Sequence, residues 1–320
     1  MGKTKIKKTV IAIDSKLPDV QKRKENSGIS LDKVGVKGVE WPMYIRRFKG
    51  ETQGTIGLWN LYVELPAGTK GTHMSRFVEI LGRYERQDIT LELMDKFMKP
   101  ELREVMEATK AHIEVSFKYM VAVSSPGSQR RSWLPLECRF IVSDYHGPVL
   151  SVKVPVHTCC PCSKEISATG NTHNQRSFVT IDAVMKDFVW IEHLATIAIK
   201  SASAPIVPLL KRIDEAIIVD TAYNKPKFVE DVARDVKRKL KEGQEEGRLG
   251  WFRIRVENEE SIHVHNAFAE VYSDDVPGEV RGMPFGIALK QGNGKGRTTD
   301  LTEDEKRRIV MSPGKKDEPL

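Results

Sequence analysis

Alternating apolar and polar residues predict a series of β-strands in the first half of the chain. The clearest is the segment TIGLWNLYVEL at residues 55–65, which follows a glycine-containing turn. The sequence DYHG at residues 144–147 predicts a hairpin turn, because glycine adopts the positive φ that such turns need. The predicted strands of this half are residues 34–48, 55–65, 113–123, 136–142 and 148–156.

Between the second and third of these strands the apolar residues follow helical spacing instead. Residues 75–86 place Phe77, Ile80 and Leu81 on one face, and residues 91–110 show a similar spacing. The first half of the chain therefore reads ββααββ up to residue 142, and the hairpin turn then leads into the strand at 148–156.

The second half repeats this order with shorter pieces. The predicted strand at residues 177–184 is followed by two predicted helices, 190–201 and 227–242, and then by two paired strands, 251–258 and 262–272. A repeated plan implies an internal structural duplication, although no clear sequence repeat accompanies it. We therefore expect an α+β fold with an antiparallel sheet and the helices gathered on one face.

The two ends of the chain differ in composition from the part between them. Residues 1–27 are rich in lysine and polar groups, and residues 286–320 hold many charges and few large apolar side chains, so we expect both to be loosely ordered. The expected organisation has a first unit at residues 28–157 and a second unit at residues 158–285 between these segments.

The net charge of +7 lies in the tails and not in the expected folded part. Residues 1–25 carry eight Lys and Arg against three Asp and Glu, and residues 286–320 carry eight against six. The intervening 260 residues hold 35 basic and 35 acidic side chains. Because a nucleic-acid-binding domain concentrates positive charge on its folded surface, we do not expect nucleic acid as a partner. A compact anionic ligand is still compatible with the sequence.

Neither membrane insertion nor a disulfide framework is expected. No run approaches the roughly 18 apolar residues of a membrane helix, and the basic start of the chain is not followed by an apolar signal region. Three of the four cysteines lie within residues 159–162, where neighbours cannot join distant parts of a fold. A cytoplasmic, reducing environment fits this pattern.

The cysteine cluster is the main candidate for chemistry, with His173 eleven residues after Cys162. Thiolate and imidazole are ligands that zinc prefers, and both groups also transfer protons or attack electrophiles. The proline between Cys160 and Cys162 favours a turn, so the spacing leaves open whether both bind one metal or one is catalytic. A cluster of small buried cysteines is the alternative.

Other candidate groups lie in the second half. In a strand His263 and His265 would share a face and point into one site, while the alternative is a strand with a solvated polar face. His193 lies in a predicted helix and is expected to be structural. Glu215 and Glu230 also lie in helical segments, where a solvated surface charge is the usual role.

Seven sequence blocks, in order from about residue 15 to 275, resemble the type IB GTP cyclohydrolases. Cys-Pro-Cys-Ser from residue 160 and His-Asn-Gln-Arg from residue 173 are the specific ones. The blocks are LPDVQ (17–21), GTHMSRF (71–77), CPCSKEIS (160–167), HNQR (173–176), SASAP (201–205), KFVED (227–231) and ESIH (260–263).

This resemblance implies two tandem tunnelling-fold units, assembled as a homotetramer with active sites at subunit interfaces. It implies hydrolytic opening of the imidazole ring of GTP at C8, loss of formate, and reclosure to 7,8-dihydroneopterin triphosphate, the first step toward folate and related pterins. It also implies one divalent ion per site, with Zn, Mn and Fe among those accepted.

The resemblance also implies roles for single residues. Cys160, His173 and Glu215 would bind the ion, and Cys162 would act near C8 as a proton donor or polar catalyst. The remaining implied roles are guanine binding by Glu230 and acid–base chemistry by His263 with His265 as its neighbour. The triphosphate also needs cations, and Arg176, Lys211 and Arg212 are the candidates for this role.

The sequence departs from the family pattern at two points. An extra residue in the loop 170–172 would move His173, and Cys159 adds a thiol beside the expected ligand. Three alternative functions remain open: a related enzyme that makes a cyclic phosphate from GTP, a pterin- or purine-ring enzyme of the same fold, and a zinc-stabilised binding module. The last predicts a closed four-ligand site, whereas hydrolysis needs a coordination position for water.

Overall fold

The structure is a computed structural model of the chain and describes residues 18–50 and 52–277. The expectation for the tail at 286–320 lies outside the described residues, as does most of that for the first 27 residues. No helix in the described part of the chain is long and apolar enough to cross a membrane.

The strands form one antiparallel sheet in the order β1-β2-β3-β4-β5-β6-β8-β9, with the two-residue β7 beside β5. Their bounds are β1 Leu31–Arg46, β2 Thr52–Leu65, β3 Ala111–Ser124, β4 Arg131–Ser143, β5 Val149–Cys159, β6 Asn174–Met185, β7 Ala204–Pro205, β8 Leu249–Asn258 and β9 Ala267–Tyr272.

The helices lie in the connections of this sheet. In the first half α2 continues through a π-helical turn, Met94–Met98, directly into α3. The helix bounds are α1 Met74–Arg83, α2 Leu91–Leu93, α3 Lys99–Val105, α4 Pro161–Ile166, α5 Ile191–Ser201, α6 Arg212–Asn224 and α7 Val229–Glu245.

The element order confirms an α+β fold built from two similar ββααββ sets. In the first, α1 to α3 separate β1-β2 from β3-β4, and in the second, α5 to α7 separate β5-β6 from β8-β9. β5 opens the second set, because it pairs with β6 along its whole length and with β4 only over residues 149–153. By strand pairing the second set thus starts at Val149, and the unit boundary after residue 157 stays a prediction.

The helices bury their apolar faces against the sheet. The predicted face of α1, formed by Phe77, Ile80 and Leu81, is buried, and Val236 and Leu240 of α7 are fully buried in the second set. Burial of one such side chain contributes about 1.5–3 kcal/mol.

Candidate functional site

Cys159 is the last residue of β5 and has a structural role. Its side chain is buried in a small apolar cluster that includes Val207 and Ile218, and burial raises the pKa of its thiol. Its backbone N–H donates to Ser203 Oγ at 3.3 Å, and its carbonyl accepts from the backbone N–H of Lys227 at 2.9 Å. Cys159 therefore connects three segments, and its buried thiol does not face the candidate site.

Cys160 and Cys162 lie at the start of α4, and the turn expected from Pro161 is confirmed. Cys160 is the residue before the helix, and its Sγ accepts a hydrogen bond from the Ser163 N–H at 3.4 Å. Cys162 lies within α4 and is exposed. The two sulfur atoms thus differ in environment, one partly buried and the other open to solvent.

The loop after α4 returns His173 to the side of Cys160. The Cys160 N–H donates to the His173 carbonyl at 3.1 Å, and Thr172 Oγ1 donates to the Cys160 carbonyl at 2.6 Å. The His173 N–H donates to Ser163 Oγ at 3.2 Å. Gly170 adopts a φ of 71°, a conformation that favours glycine. With the extra residue in this loop, His173 still lies beside the expected ligand.

The His173 ring is oriented by a buried side chain on β6. Its Nδ1 lies 3.0 Å from Gln175 Oε1, and Gln175 Nε2 donates to Thr158 Oγ1 at 3.1 Å. Since the amide oxygen only accepts, the contact places the proton of neutral His173 on Nδ1. The lone pair of Nε2 then remains for a metal ion or a proton.

The same hydrogen-bond chain continues across β6 to the end of β8. Thr158 Oγ1 lies 2.7 Å from Ser177 Oγ, which donates to Asn258 Oδ1 at 2.6 Å. Asn258 Nδ2 donates to Glu260 Oε1 at 3.1 Å, and Glu260 Oε2 lies 3.9 Å from His173 Nδ1. The Glu260 side chain is only 8% exposed. A closed polar network thus places a carboxylate beside His173.

His263 and His265 lie near His173, but not in a strand. The sequence predicts a strand over 262–272, whereas β9 begins at Ala267 and the histidines precede it in a bend. The prediction of two histidines alternating with apolar residues along one strand is therefore wrong. Their rings stack at 5.2 Å between centres, and the His263 ring lies 6.4 Å from that of His173. Both are exposed.

Glu215 lies at the far end of α6 from the cysteine loop. Lys164 of α4 contacts the C-terminal end of α6, where its Nζ donates to the Tyr223 carbonyl at 2.7 Å and lies 3.7 Å from the ring centre. Glu215 is eight residues earlier in this helix, roughly 12 Å along its axis at about 1.5 Å per residue. It is exposed, like its neighbours Lys211 and Arg212.

The other predicted binding groups are also exposed. Arg176 lies on β6, three residues after His173, and Glu230 lies in the first turn of α7. Lys227, three residues before Glu230, donates its backbone N–H to the Cys159 carbonyl at the end of β5. His193 packs against the Phe48 ring, 5.9 Å between centres, in keeping with the structural role expected for it.

The groups around Cys160 would suit a divalent metal ion, but they form only part of a ligand set. A half-buried thiol sulfur and an imidazole with a fixed tautomer lie on adjacent segments, and sulfur with nitrogen suits a borderline-soft cation. Within the described residues no three His, Cys, Asp or Glu side chains converge closely enough to hold a metal ion. The described residues of one copy thus bring together two donors here, Cys160 and His173.

A family profile and the relatives of this chain indicate the same protein family. The profile described as "Type I GTP cyclohydrolase folE2" matches residues 17–269. A relative named "GTP cyclohydrolase FolE2" from Geobacter metallireducens is 41% identical over 81% of this chain and 97% of its own length. One of the same name from Dictyoglomus turgidum is 44% identical over 79% and 96%.

A solved structure of uricase from Arthrobacter globiformis resembles this chain only distantly. It is 7% identical, with a TM-score of 0.45 over 79% of this chain and 97% of that one.

Proposed function

The chain belongs to the type I GTP cyclohydrolase folE2 family, and we propose that it converts GTP and water to 7,8-dihydroneopterin triphosphate and formate. This reaction is the first step of folate and pterin biosynthesis. The observation that carries the proposal is the pairing of Cys160 with His173, whose ring orientation is fixed by the buried polar network.

Family membership supports a metal-dependent enzyme, and we propose that Cys160, His173 and Glu215 hold one divalent ion, Zn, Mn or Fe. When bound there, such an ion would supply the Lewis acidity that makes water nucleophilic near neutral pH. Gln175 keeps the proton on Nδ1 of His173 and so leaves Nε2 as the donor atom.

The remaining steps move protons at the imidazole ring of the substrate. The exposed thiol of Cys162 is the proposed proton donor near C8. His263, stacked on His265, is the proposed acid–base group as the ring opens, formate leaves and the new ring closes. Glu260 is buried beside His173 and would stabilise its protonated or metal-bound form.

Recognition of GTP needs groups for the base and for the phosphates. One carboxylate accepts both the N1–H and the 2-amino group of guanine in a bidentate pair, and Glu230 is the proposed acceptor. Arg176, Lys211 and Arg212 are the proposed cations for the triphosphate. All four side chains are exposed in a single copy of the chain.

This exposure supports a further proposal, that the enzyme is a homotetramer with active sites at subunit interfaces. In one copy Glu215 lies far from the cysteine loop, so the ligand set would be completed by contact between copies. A cytoplasmic location stays a prediction of the cysteine pattern.

Incubation of the metal-loaded protein with GTP should release formate and give a product that fluoresces as a pterin after oxidation. Mass analysis of that product distinguishes the linear triphosphate from a cyclic phosphate. Absence of turnover with Mn, Zn and Fe would remove the proposed function.

A further inference from the structure

Asp214 is a buried charge in the first turn of α6, beside the exposed groups of the proposed site. Its side chain has no exposed surface. Oδ1 accepts the backbone N–H groups of Gly127 at 2.8 Å and Ser128 at 2.7 Å, and Oδ2 accepts Ser128 Oγ at 2.6 Å and the Lys211 N–H at 2.8 Å. Both oxygens are therefore fully used as acceptors.

These hydrogen bonds join the two ββααββ sets. Gly127 and Ser128 form the tip of the hairpin between β3 and β4 of the first set, whereas α6 belongs to the second. A second hydrogen bond nearby also joins the two sets, since Ser125 Oγ donates to the Leu209 carbonyl at 2.5 Å. The start of α6 is thus held by a hairpin more than eighty residues earlier in the chain.

The hairpin tip also packs directly on α6. A Cβ added to Gly127 would lie 2.8 Å from Ile217 Cδ1 and 3.3 Å from Asp214 Oδ1. A larger residue at this position would therefore force the Ile217 side chain or the hairpin tip to shift. The close approach and the carboxylate hydrogen bonds therefore depend on each other.

The residues around Asp214 show what this contact controls. Lys211, whose N–H is bound by Asp214, and Arg212 are both exposed at the helix start. Long flexible cations lose conformational freedom when they bind a polyphosphate, and a fixed backbone position reduces that cost.

We infer that Asp214 is a positioning residue, which holds the first turn of α6 to the hairpin tip and thereby places Lys211 and Arg212 against the triphosphate of the substrate. This inference rests on the proposed function. It adds a residue that touches no substrate and acts through two that do.

Asp214→Asn is the most informative change, because it keeps the size of the side chain and replaces one acceptor oxygen by an amide donor that must face existing donors. Asp220→Asn is the matched control, since Asp220 is exposed on the same helix. Gly127→Ala disturbs the same contact from the hairpin side and leaves every charge in place.

The experiment measures kcat and KM for GTP together with the inhibition constant of guanosine, which lacks phosphates and depends on Glu230. Asp214→Asn and Gly127→Ala should raise KM for GTP about tenfold or more, with kcat within about threefold and guanosine inhibition unchanged. Hydrogen exchange at the Gly127 and Ser128 amides should accelerate in Asp214→Asn. Asp220→Asn should match the unchanged protein in each measurement.

Equal weakening of GTP and guanosine, or a loss of kcat alone, would overturn the inference, since a merely structural residue would act in that way. Unchanged hydrogen exchange at the Gly127 and Ser128 amides in Asp214→Asn would overturn the inference, whether or not the protein turns over GTP. A lack of GTP turnover in the unchanged protein would instead remove the proposed function. An unchanged KM in the Lys211→Ala, Arg212→Ala double variant would show that these cations do not bind the triphosphate and would also overturn it.

Discussion

His173 Nδ1 lies 3.0 Å from Gln175 Oε1, and this contact decides which nitrogen of the imidazole is available to a ligand. The Gln175 amide is itself fixed by its hydrogen bond to Thr158. A histidine ligand in a metalloenzyme commonly has such a partner on its second nitrogen. Gln175, two residues after His173 in the same sequence block, thus orients the histidine as a ligand.

Gln175→Leu should weaken metal binding. Leucine fills the space but cannot accept the Nδ1 proton, so the ring loses its fixed tautomer and orientation. We expect a loss of metal affinity of about 10–100-fold, measured by competition with a chromogenic chelator. Asn171→Ala, an exposed change in the preceding loop, is the control. Equal affinity in both variants would show that Gln175 does not orient the ligand.

Glu230→Ala should separate substrate binding from metal binding. The carboxylate is proposed to accept two hydrogen bonds from guanine and has no part in the ligand set. GTP binding, measured by calorimetry, should fall by at least about 100-fold, since charge-assisted hydrogen bonds contribute about 1.5–3 kcal/mol each, while metal affinity stays constant. Glu242→Ala, exposed on the same helix, should change neither. Parallel loss of GTP and metal would mean that the roles are misassigned.

Removal of one partner of the buried ion pair of Asp182 and Arg253 should strongly destabilise the fold. Asp182 Oδ2 accepts Arg253 Nη2 at 2.9 Å, and their side chains are 0% and 5% exposed. Asp182→Ala leaves a buried guanidinium without its carboxylate, so the free energy of unfolding should fall by about 3–5 kcal/mol in urea denaturation.

The matched comparison is Asp274→Ala, which removes an exposed carboxylate paired with Lys237 and Lys241. Solvent screens that cluster, so its loss should change stability little. Similar losses in the two variants would contradict the view that burial decides the effect.

Acid should destabilise the fold through His112. Burial lowers the pKa of His112 below its ordinary 6.5, with Lys33 and Arg139 adding to the effect and Glu114 opposing it. Although burial opposes ionisation of Glu114, its pKa is lowered to about 2 by the nearby His112, whose Nε2 lies 3.8 Å from Oε2, and by a hydrogen bond from Asn60 Nδ2 at 2.6 Å. Glu114 therefore stays charged while His112 titrates.

The sign follows from proton binding. Below pH 6.5 the unfolded chain protonates His112 while the native state resists, so the free energy of unfolding falls as the pH decreases. His112→Gln should make this fall shallower between about pH 7 and pH 5. Part of the fall should persist in this variant, because burial also lowers the pKa of the neighbouring His146. An equally steep fall in the variant would exclude His112 as a source.

Local patterns predicted the repeated ββααββ order because each element carries its own periodicity. The face of α1 formed by Phe77, Ile80 and Leu81 is an example. The set to which β5 belongs does not follow from local pattern, because a strand's partners depend on pairing with distant residues. The histidines before β9 were predicted as strand because alternation over two or three residues also occurs in a bend.

Glu260 shows what the sequence could not reveal. A glutamate beyond a strand end usually reads as a solvated charge, and only the register that pairs Ser177 with Asn258 brings it beside His173. Cys159 is the converse, since its place in the cysteine cluster suggested chemistry and its packing under α6 gives it a structural role. Both outcomes follow from long-range packing.

The central claim is hydrolysis at C8 of GTP, and isotope transfer tests it most directly. GTP labelled with carbon-13 at C8 is incubated with protein loaded with Mn, Zn or Fe, and the label is followed by NMR. The account predicts that the label appears in formate while the unlabelled remainder becomes 7,8-dihydroneopterin triphosphate. Label that stays in the purine ring with every metal would contradict it.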